Sequence, residues 1–346
     1  MTTPTRSRWK PRLLALALAL SLAFLAGEVA VRVLVGAPLA ERLPIMMMQA
    51  NPYRGWQMVP GLDHYTYQHH VRINALGLRG AEVEPKGAGE RRVLMLGDSL
   101  VYGQGVADED TLPARLEQAL GQLDGARRWS VVNSGHRSYD TPQELGLLEE
   151  LGARIAPDVV VLCWYWNDVN ERGIQGTYER LKDRGRLAFD TASPMDGLDR
   201  WRWRAVQLVR HSALVMWLHD VVSPKGKPFA PDYFDKGLVR LERYLGRFEE
   251  LCAGLGARPV FAVIPDAKVL TGETFTLEIS RRAAAVARQA GRPVIELLPP
   301  LEELHEREGR LPVLPFDGHY DASGNAAMGE YLARELLALE ASPRSE

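Results

Sequence analysis

The chain has 346 residues, 46% hydrophobic and 25% charged, an ordinary globular balance with enough apolar surface for a large core. A formal net charge of -2 argues against a nucleic-acid partner. The sequence holds no phosphate-cradling glycine loop, no dinucleotide fingerprint and no Cys/His cluster with zinc-ligand spacing, and its 2 cysteines, Cys163 and Cys252, read as core thiols.

Residues 1–12 form a basic tail with Arg6, Arg8, Lys10 and Arg12. Leu13 to Ala26 is apolar apart from Ser21, and Val29 to Gly36 continues the run past Glu28 and Arg32. Residues 13–36 together are long enough to cross a bilayer. They read as an uncleaved signal anchor rather than a cleaved signal peptide, with Glu28 and Arg32 paired across one helical turn. The basic tail stays inside, so the rest of the chain is expected outside the cytoplasm, in a periplasm or at a cell surface. Residues 37–90 are punctuated by Pro44, Pro52, Pro60 and Pro85 and read as a stalk and a small extended module. Tyr65 to Ile73 has strand-like composition, and Pro85 to Gly89 is the expected linker.

From residue 91 strands and helices alternate. Val93 to Leu96, Trp129 to Asn133, Val159 to Trp166, Val260 to Ile264 and Pro293 to Leu297 read as buried strands. Helices are expected near 112–120, 142–154, 233–255, 275–289 and 323–337. This alternation implies a parallel α/β sheet covered on both faces, over 91–341. It breaks at an insertion of about 170–232. There, Asp199 to Val222 reads as one helix with Trp203, Val206, Val209, Ala213, Met216 and Trp217 on a stripe and four arginines around it. Two readings stand for that helix: a cover for the core, or a lid or interfacial helix at lipid headgroups.

The chemistry gathers at strand ends. Ser99 follows the first strand at a tight strand-to-helix junction, Asn133-Ser134-Gly135-His136 follows the second, and Asn167-Asp168 follows the third. In a parallel sheet these tips share one edge. They offer a nucleophilic hydroxyl, a glycine N–H open to close approach, and an amide NH2, the last two being donors for an oxyanion. Pro315-Phe316-Asp317-Gly318-His319 precedes the last helix. His319 there is the expected base for Ser99, oriented by Asp317.

With these blocks in order, Gly97-Asp98-Ser99-Leu100, Gly135, Asn167-Asp168 and Asp317 with His319, the chain resembles the SGNH hydrolases, also called the GDSL esterase/lipase family. The resemblance covers about residues 91–340. It implies a flavodoxin-like three-layer α/β/α sandwich with a five-stranded parallel sheet. It also implies Ser99 as nucleophile, His319 as base, and an oxyanion hole from the Ser99 and Gly135 N–H groups and the Asn167 side chain. The segment Asn74-Ala75-Leu76-Gly77-Leu78-Arg79 is similar to one in membrane-anchored members. Two departures stand out. Trp164-Tyr165-Trp166 brings bulk where the family commonly has glycine two residues before the asparagine. Asp317 and His319 are also closer than the usual Asp-x-x-His, which leaves Asp321 as an alternative orienting acid.

The resemblance implies a serine esterase with no metal or organic cofactor. An O-acetyl ester on a cell-envelope glycan is the first substrate expected. Lysophospholipid or acetyl transfer to a glycan follows, and a non-catalytic carbohydrate-binding or scaffold protein is the reading from another class. Trp164 and Trp166 flank Asn167 and are expected either to pack on the sheet or to stack on sugar rings. His136 is expected at the substrate or in a structural role. The oligomeric state is left open.

Overall fold

The structure is a computed structural model that describes residues 9–170, 173–190, 193, 196–223 and 232–341. Arg6 and Arg8 of the expected basic tail lie outside the described residues. In chain order, the first element is helix α1 (Trp9–Leu34), unbroken for 26 residues. It is long and apolar enough to cross a membrane, as an anchor or a signal sequence would be.

Strands β1 (Met47–Asn51) and β2 (Gly55–Met58) form an antiparallel hairpin. Asn51 Oδ1 accepts from the Tyr53 and Arg54 N–H groups and shapes its turn. The strand-like stretch near 65–73 is a second hairpin, β3 (His64–Thr66) and β4 (His69–Val71), because the chain reverses at Tyr67, whose φ is 52°.

The alternating elements are β5 (Glu90–Leu96), α2 (Ser99–Tyr102), α3 (Leu112–Leu123), β6 (Arg128–Asn133), α4 (Thr141–Ile155) and β7 (Val159–Trp164). A 3-10 turn over Trp166–Val169 follows β7. Next come α5 (Ile174–Leu181), β8 (Leu187–Ala188), α6 (Gly197–Arg210), α7 (Ala213–Val222), α8 (Tyr233–Leu255), β9 (Arg258–Val263), α9 (Phe275–Gln289), β10 (Val294–Glu296), α10 (Leu298–Glu308) and α11 (Ala322–Ala341). Helix α10 has no counterpart in the sequence reading. Its Pro299 and Pro300 look like breakers but occupy the first turn, where a proline costs no hydrogen bond.

The expected single helix over Asp199–Val222 is two helices. Ser212 interrupts it, its hydroxyl accepting from Val215 N at 3.2 Å as the cap of α7.

The chain divides into two compact units, residues 1–40 with 197–227, and residues 41–196 with 228–346. The second unit holds a five-stranded sheet ordered β10-β9-β7-β5-β6, parallel throughout. This is the flavodoxin-like order, whose topological switch point lies between β5 and β7. Side chains alternate across the sheet. Leu94, Leu96, Val160, Leu162, Trp164 and Phe261 enter the core under α4, α8 and α9. Val93, Met95, Val161, Cys163, Val260 and Ala262 enter the core under α3, α10 and α11. Residues 41–90 belong to this unit, and β8 pairs with β1 to extend their sheet.

Candidate active site

β5 leaves the sheet at Gly97. A Cβ there would lie 2.3 Å from Val101 Cγ2, so only glycine lets the chain turn back this tightly. Asp98 caps α2 by accepting from Leu100 N at 2.8 Å. Ser99 therefore stands at the first position of α2, at the switch point of the sheet. The helix behind it has only 4 residues and ends at Gly103 in the left-handed region (φ 84°). With so few aligned peptides, the local N–H groups are the main source of positive potential beside Ser99. Buried Arg79 braces the following loop, donating to the carbonyls of Tyr102, Gly103 and Val106 and pairing with Asp108.

His319 Nε2 lies 2.7 Å from Ser99 Oγ. Its Nδ1 is in hydrogen-bond contact with Asp317 Oδ1, which also accepts from the His319 backbone N–H at 3.1 Å. The two-residue spacing works because Phe316 and Gly318 both have positive φ, 61° and 88°, which curls the loop back on itself. Asp321 sits elsewhere. It accepts from Ser323 N, Ser323 Oγ and Gly324 N at the start of α11 and pairs with Arg310.

Tyr67, which the sequence did not single out, donates its hydroxyl to Asp317 Oδ2. Burial pushes the Asp317 carboxyl up, but hydrogen bonds from His319 and Tyr67 outweigh it and hold its pKa at about 2. Burial and the neighbouring Asp317 charge push the Tyr67 phenol up, so it remains a donor.

The loop after β6 is pinned to the tip of β5. Ser134 N donates to Met95 O and His136 N to Gly97 O, each at 3.1 Å. A Cβ on Gly135 would lie 2.0 Å from Tyr102 N, so close packing on α2 demands the glycine. The Gly135 N–H donates to Asn133 Oδ1 at 3.0 Å and does not stand free, unlike the open donor expected from sequence. Asn167 lies on the 3-10 turn after β7, and its side chain hydrogen-bonds the Asp98 carboxylate beside Ser99. A primary amide has two N–H groups.

The three expected substrate-side residues are placed differently. β7 ends at Trp164, so the alternation that would have set Trp164 and Trp166 on one face stops there. Trp164 is 1% exposed and packs near Phe261 in the core. Trp166 is half-buried, its Nε1 donating to Asp266 Oδ2 at 3.2 Å. His136 is fully buried, stacked on Tyr139 with ring centroids 4.4 Å apart. Burial and the Arg54 charge push its pKa down to about 3, so it is neutral. Of the two alternatives expected for each, this burial agrees with sheet packing for Trp164 and a structural position for His136 and leaves neither open to a substrate.

Under the site lie the buried carboxyls Asp98, Glu144 and Asp168. Glu144 is 1% exposed. Burial first, then the charges of Asp98 and Asp140, push its pKa well above the usual carboxyl value of 4.5. A raised folded-state pKa means stability present below 4.5 that is lost as pH rises through the folded value. A glutamine amide has no acidic proton to lose. Glu144→Gln is therefore expected to match the parent's melting temperature near pH 5 and exceed it increasingly toward pH 9. Parallel melting curves across that range would show that Glu144 is not held neutral.

Among the described residues no three His, Cys, Asp or Glu side chains gather as metal ligands. A cavity of about 680 Å³ bounded by Arg72, Arg92, Glu117 and Arg128 contains neither Ser99 nor His319, so the hydrogen-bonded geometry, not cavity size, marks the site.

Among solved structures, the chain is similar to TesA, with 17% identity over 72% of this chain and 99% of that chain and a TM-score of 0.44. It is similar to the lipase/acylhydrolase from Enterococcus faecalis, with 16% identity over 74% and 100% and a TM-score of 0.41. It is also similar to a two-domain esterase active on acetylated mannans, with 9% identity over 75% and 52% and a TM-score of 0.43. No curated protein matches the chain. The model of the GDSL-like lipase/acylhydrolase family matches residues 95–327, more than half of the sequence, from the end of β5 to the first turns of α11, and so includes Ser99, Asn167, Asp317 and His319. The chain belongs to the GDSL-like lipase/acylhydrolase family and is a hydrolase acting on ester bonds.

Proposed function

We propose that Ser99, His319 and Asp317 act as a catalytic triad. The observation that carries this reading is the line of contacts from Ser99 Oγ to His319 Nε2, at 2.7 Å, and from His319 Nδ1 to Asp317. In this reading His319 Nε2 takes the Ser99 proton as Oγ bonds to the ester carbonyl carbon. The carbonyl oxygen becomes an oxyanion, met by the Ser99 N–H and the second Asn167 amide N–H. The Gly135 N–H joins them only by sharing itself with Asn133 Oδ1. Collapse breaks the ester C–O bond, and His319 returns its proton to the departing alkoxide. Water then gives a proton to His319 as its oxygen attacks the acyl carbonyl, and collapse breaks the acyl C–Oγ bond while His319 returns that proton to Ser99 Oγ, releasing the acid and the free serine.

Removing the Asn167 amide tests the oxyanion role. Asn167→Ala is expected to lower kcat about a hundred- to a thousand-fold with KM little changed. An unchanged kcat would confine Asn167 to holding Asp98.

The substrate we propose is an O-acetyl ester on an envelope glycan. Tyr165 and Trp166, beside Asn167, both donate to Asp266 Oδ2, at 2.9 and 3.2 Å, so their bulk is held in place and suits a small acyl group. The arrangement that accompanies this is a tail over 1–12, an anchor over 13–36, and a hydrolase outside the cytoplasm. A lipid ester is the second reading, favoured by the exposed apolar side chains of Trp201 and Leu208 in α6.

The full chain in detergent, given p-nitrophenyl acetate and octanoate, separates these readings. Faster turnover of acetate supports the glycan ester, and faster turnover of octanoate moves the assignment to lipids. No turnover, with no labelling of Ser99 by an ethyl phosphonate, would leave only a binding role.

A further inference from the structure

Helix α1 carries two charges on its otherwise apolar outer turns, and both are engaged within its own compact unit. Glu28 accepts from Ala213 N and Leu214 N at 2.9 Å and from Ser212 Oγ at 2.8 Å, the cap and first turn of α7. It also accepts from Arg32 Nε at 2.7 Å, and Arg32 Nη2 donates to His211 O at 2.6 Å. A helix N-terminus offers unpaired N–H groups and positive potential, so a carboxylate there is held firmly. Gly27 completes the seat, since a Cβ on it would lie 2.9 Å from Leu214 Cδ2. The contacts with α7 at Gly27 and Glu28 lie on the outer turns of α1. Phe24 and Leu20, one and two turns earlier, remain 49% and 62% exposed.

Arg32 lies about 28 Å along the helix from Leu13, where the apolar run begins, near the far face of a hydrocarbon core roughly 30 Å thick. Helices α6 and α7 expose apolar side chains. Leu208 is 77% and Val222 75% exposed, with Trp201, Trp217, Leu218 and Val221 also open. Helix α6 adds Arg200, Arg202, Arg204 and Arg210. Tryptophan and apolar residues combined with arginines are the chemistry of a helix lying in a headgroup layer.

We propose that α6 and α7 form an interfacial element seated on an anionic bilayer beside the outer end of α1, fastened there by Glu28 and Arg32. The occupant of the exposed apolar face is the lipid surface. Two observations single it out: the clamp to the outer turns of a membrane-length helix, and Arg202, Arg204 and Arg210 of α6, complementary to lipid phosphates. The proposal requires that α1 is retained, since its loss through Glu28 would take the acceptor from the first turn of α7. The inference rests on α1 crossing the membrane and is independent of the reading of the active site.

The test uses the full chain in vesicles of phosphatidylethanolamine and phosphatidylglycerol. Cys163 and Cys252 are both buried, so an introduced cysteine reports cleanly to a water-soluble maleimide. Val221→Cys is compared with Glu306→Cys on the exposed face of α10, which measures the outward-facing fraction. Ester turnover by each variant checks folding. Val221→Cys is expected to label at least about tenfold more slowly than Glu306→Cys and to match it in SDS. Adding Glu28→Ala is expected to restore fast labelling while the chain stays in the vesicles through an alkaline carbonate wash. Equal labelling rates in a carbonate-resistant chain overturn the interfacial element alone. Protection accompanied by a cross-linked dimer through Val221→Cys assigns the face to a second copy and overturns it too. A chain washed out by carbonate overturns the membrane reading of α1 and this inference with it.

Discussion

Ser99→Ala is expected to lower kcat/KM on p-nitrophenyl acetate at least about ten-thousand-fold, roughly 5.5 kcal/mol of transition-state stabilisation. The whole effect belongs to chemistry rather than folding. Ser99 is half-buried, and its hydroxyl's interaction is with His319 Nε2, which water can replace at a partly open site. The main chain of the turn is held by other groups: the Asp98 cap on Leu100 N, and Arg79 on three carbonyls of the loop. The melting temperature is therefore expected to move by no more than about 2 °C. Calorimetry alongside kinetics separates the outcomes. A variant that keeps its activity but loses several degrees would make Ser99 a structural turn residue.

Asp317→Asn is expected to cost about ten-thousand-fold in kcat, because an amide can donate to Nδ1 and hold the wrong tautomer of His319. The same carboxylate takes the Tyr67 hydroxyl on its other oxygen, with Gln104 Nε2 at 3.4 Å. The substitution thus disturbs both partners. Its folded pKa is depressed, to about 2, so the pairing contributes stability above the ordinary value of 3.8 that is lost as pH falls toward 2. Asp317→Asn should flatten that acid limb of the stability curve. Asp321→Asn is expected to leave kcat within about twofold, since Asp321 serves Arg310 and the first turn of α11. If Asp321→Asn were the damaging change and Asp317→Asn harmless, the orienting acid would have been misassigned.

The two substitutions also bear on the departure from the common Asp-x-x-His spacing. Positive φ at Phe316 and Gly318 shortens the path between the carboxylate and the ring, so two residues suffice where three are usual. Tyr67 then holds the far side of Asp317 from the β3–β4 hairpin, which gives residues 41–90 a part in the site beyond a stalk.

The sequence by itself determined the parallel α/β sheet and the strand ends on which Ser99 and Asn167 stand. Runs such as Val93 to Leu96 and Val159 to Cys163 are buried on both faces, and continuous apolarity is a local signal. It also placed His319 and Asp317 together, since both sit in one short loop.

What the tertiary structure alone decided involves partners far apart in the chain. Tyr67 meets Asp317 across 250 positions. Glu144 has the composition of a helix surface, yet it is buried with Asp98 and Asp168 because the face of α4 that carries it turns to the sheet. Trp164 follows Val160 and Leu162 into the core by strand alternation, and it is Trp166 whose side the end of β7 decides. The break between α6 and α7 is a serine cap written in the sequence, but the carboxylate that fills it is Glu28, 184 residues away from Ser212. Periodicity reports which side of an element is apolar. It carries no record of which distant group meets that side, and at this site those distant meetings set the charge, the tautomer and the seat of each residue.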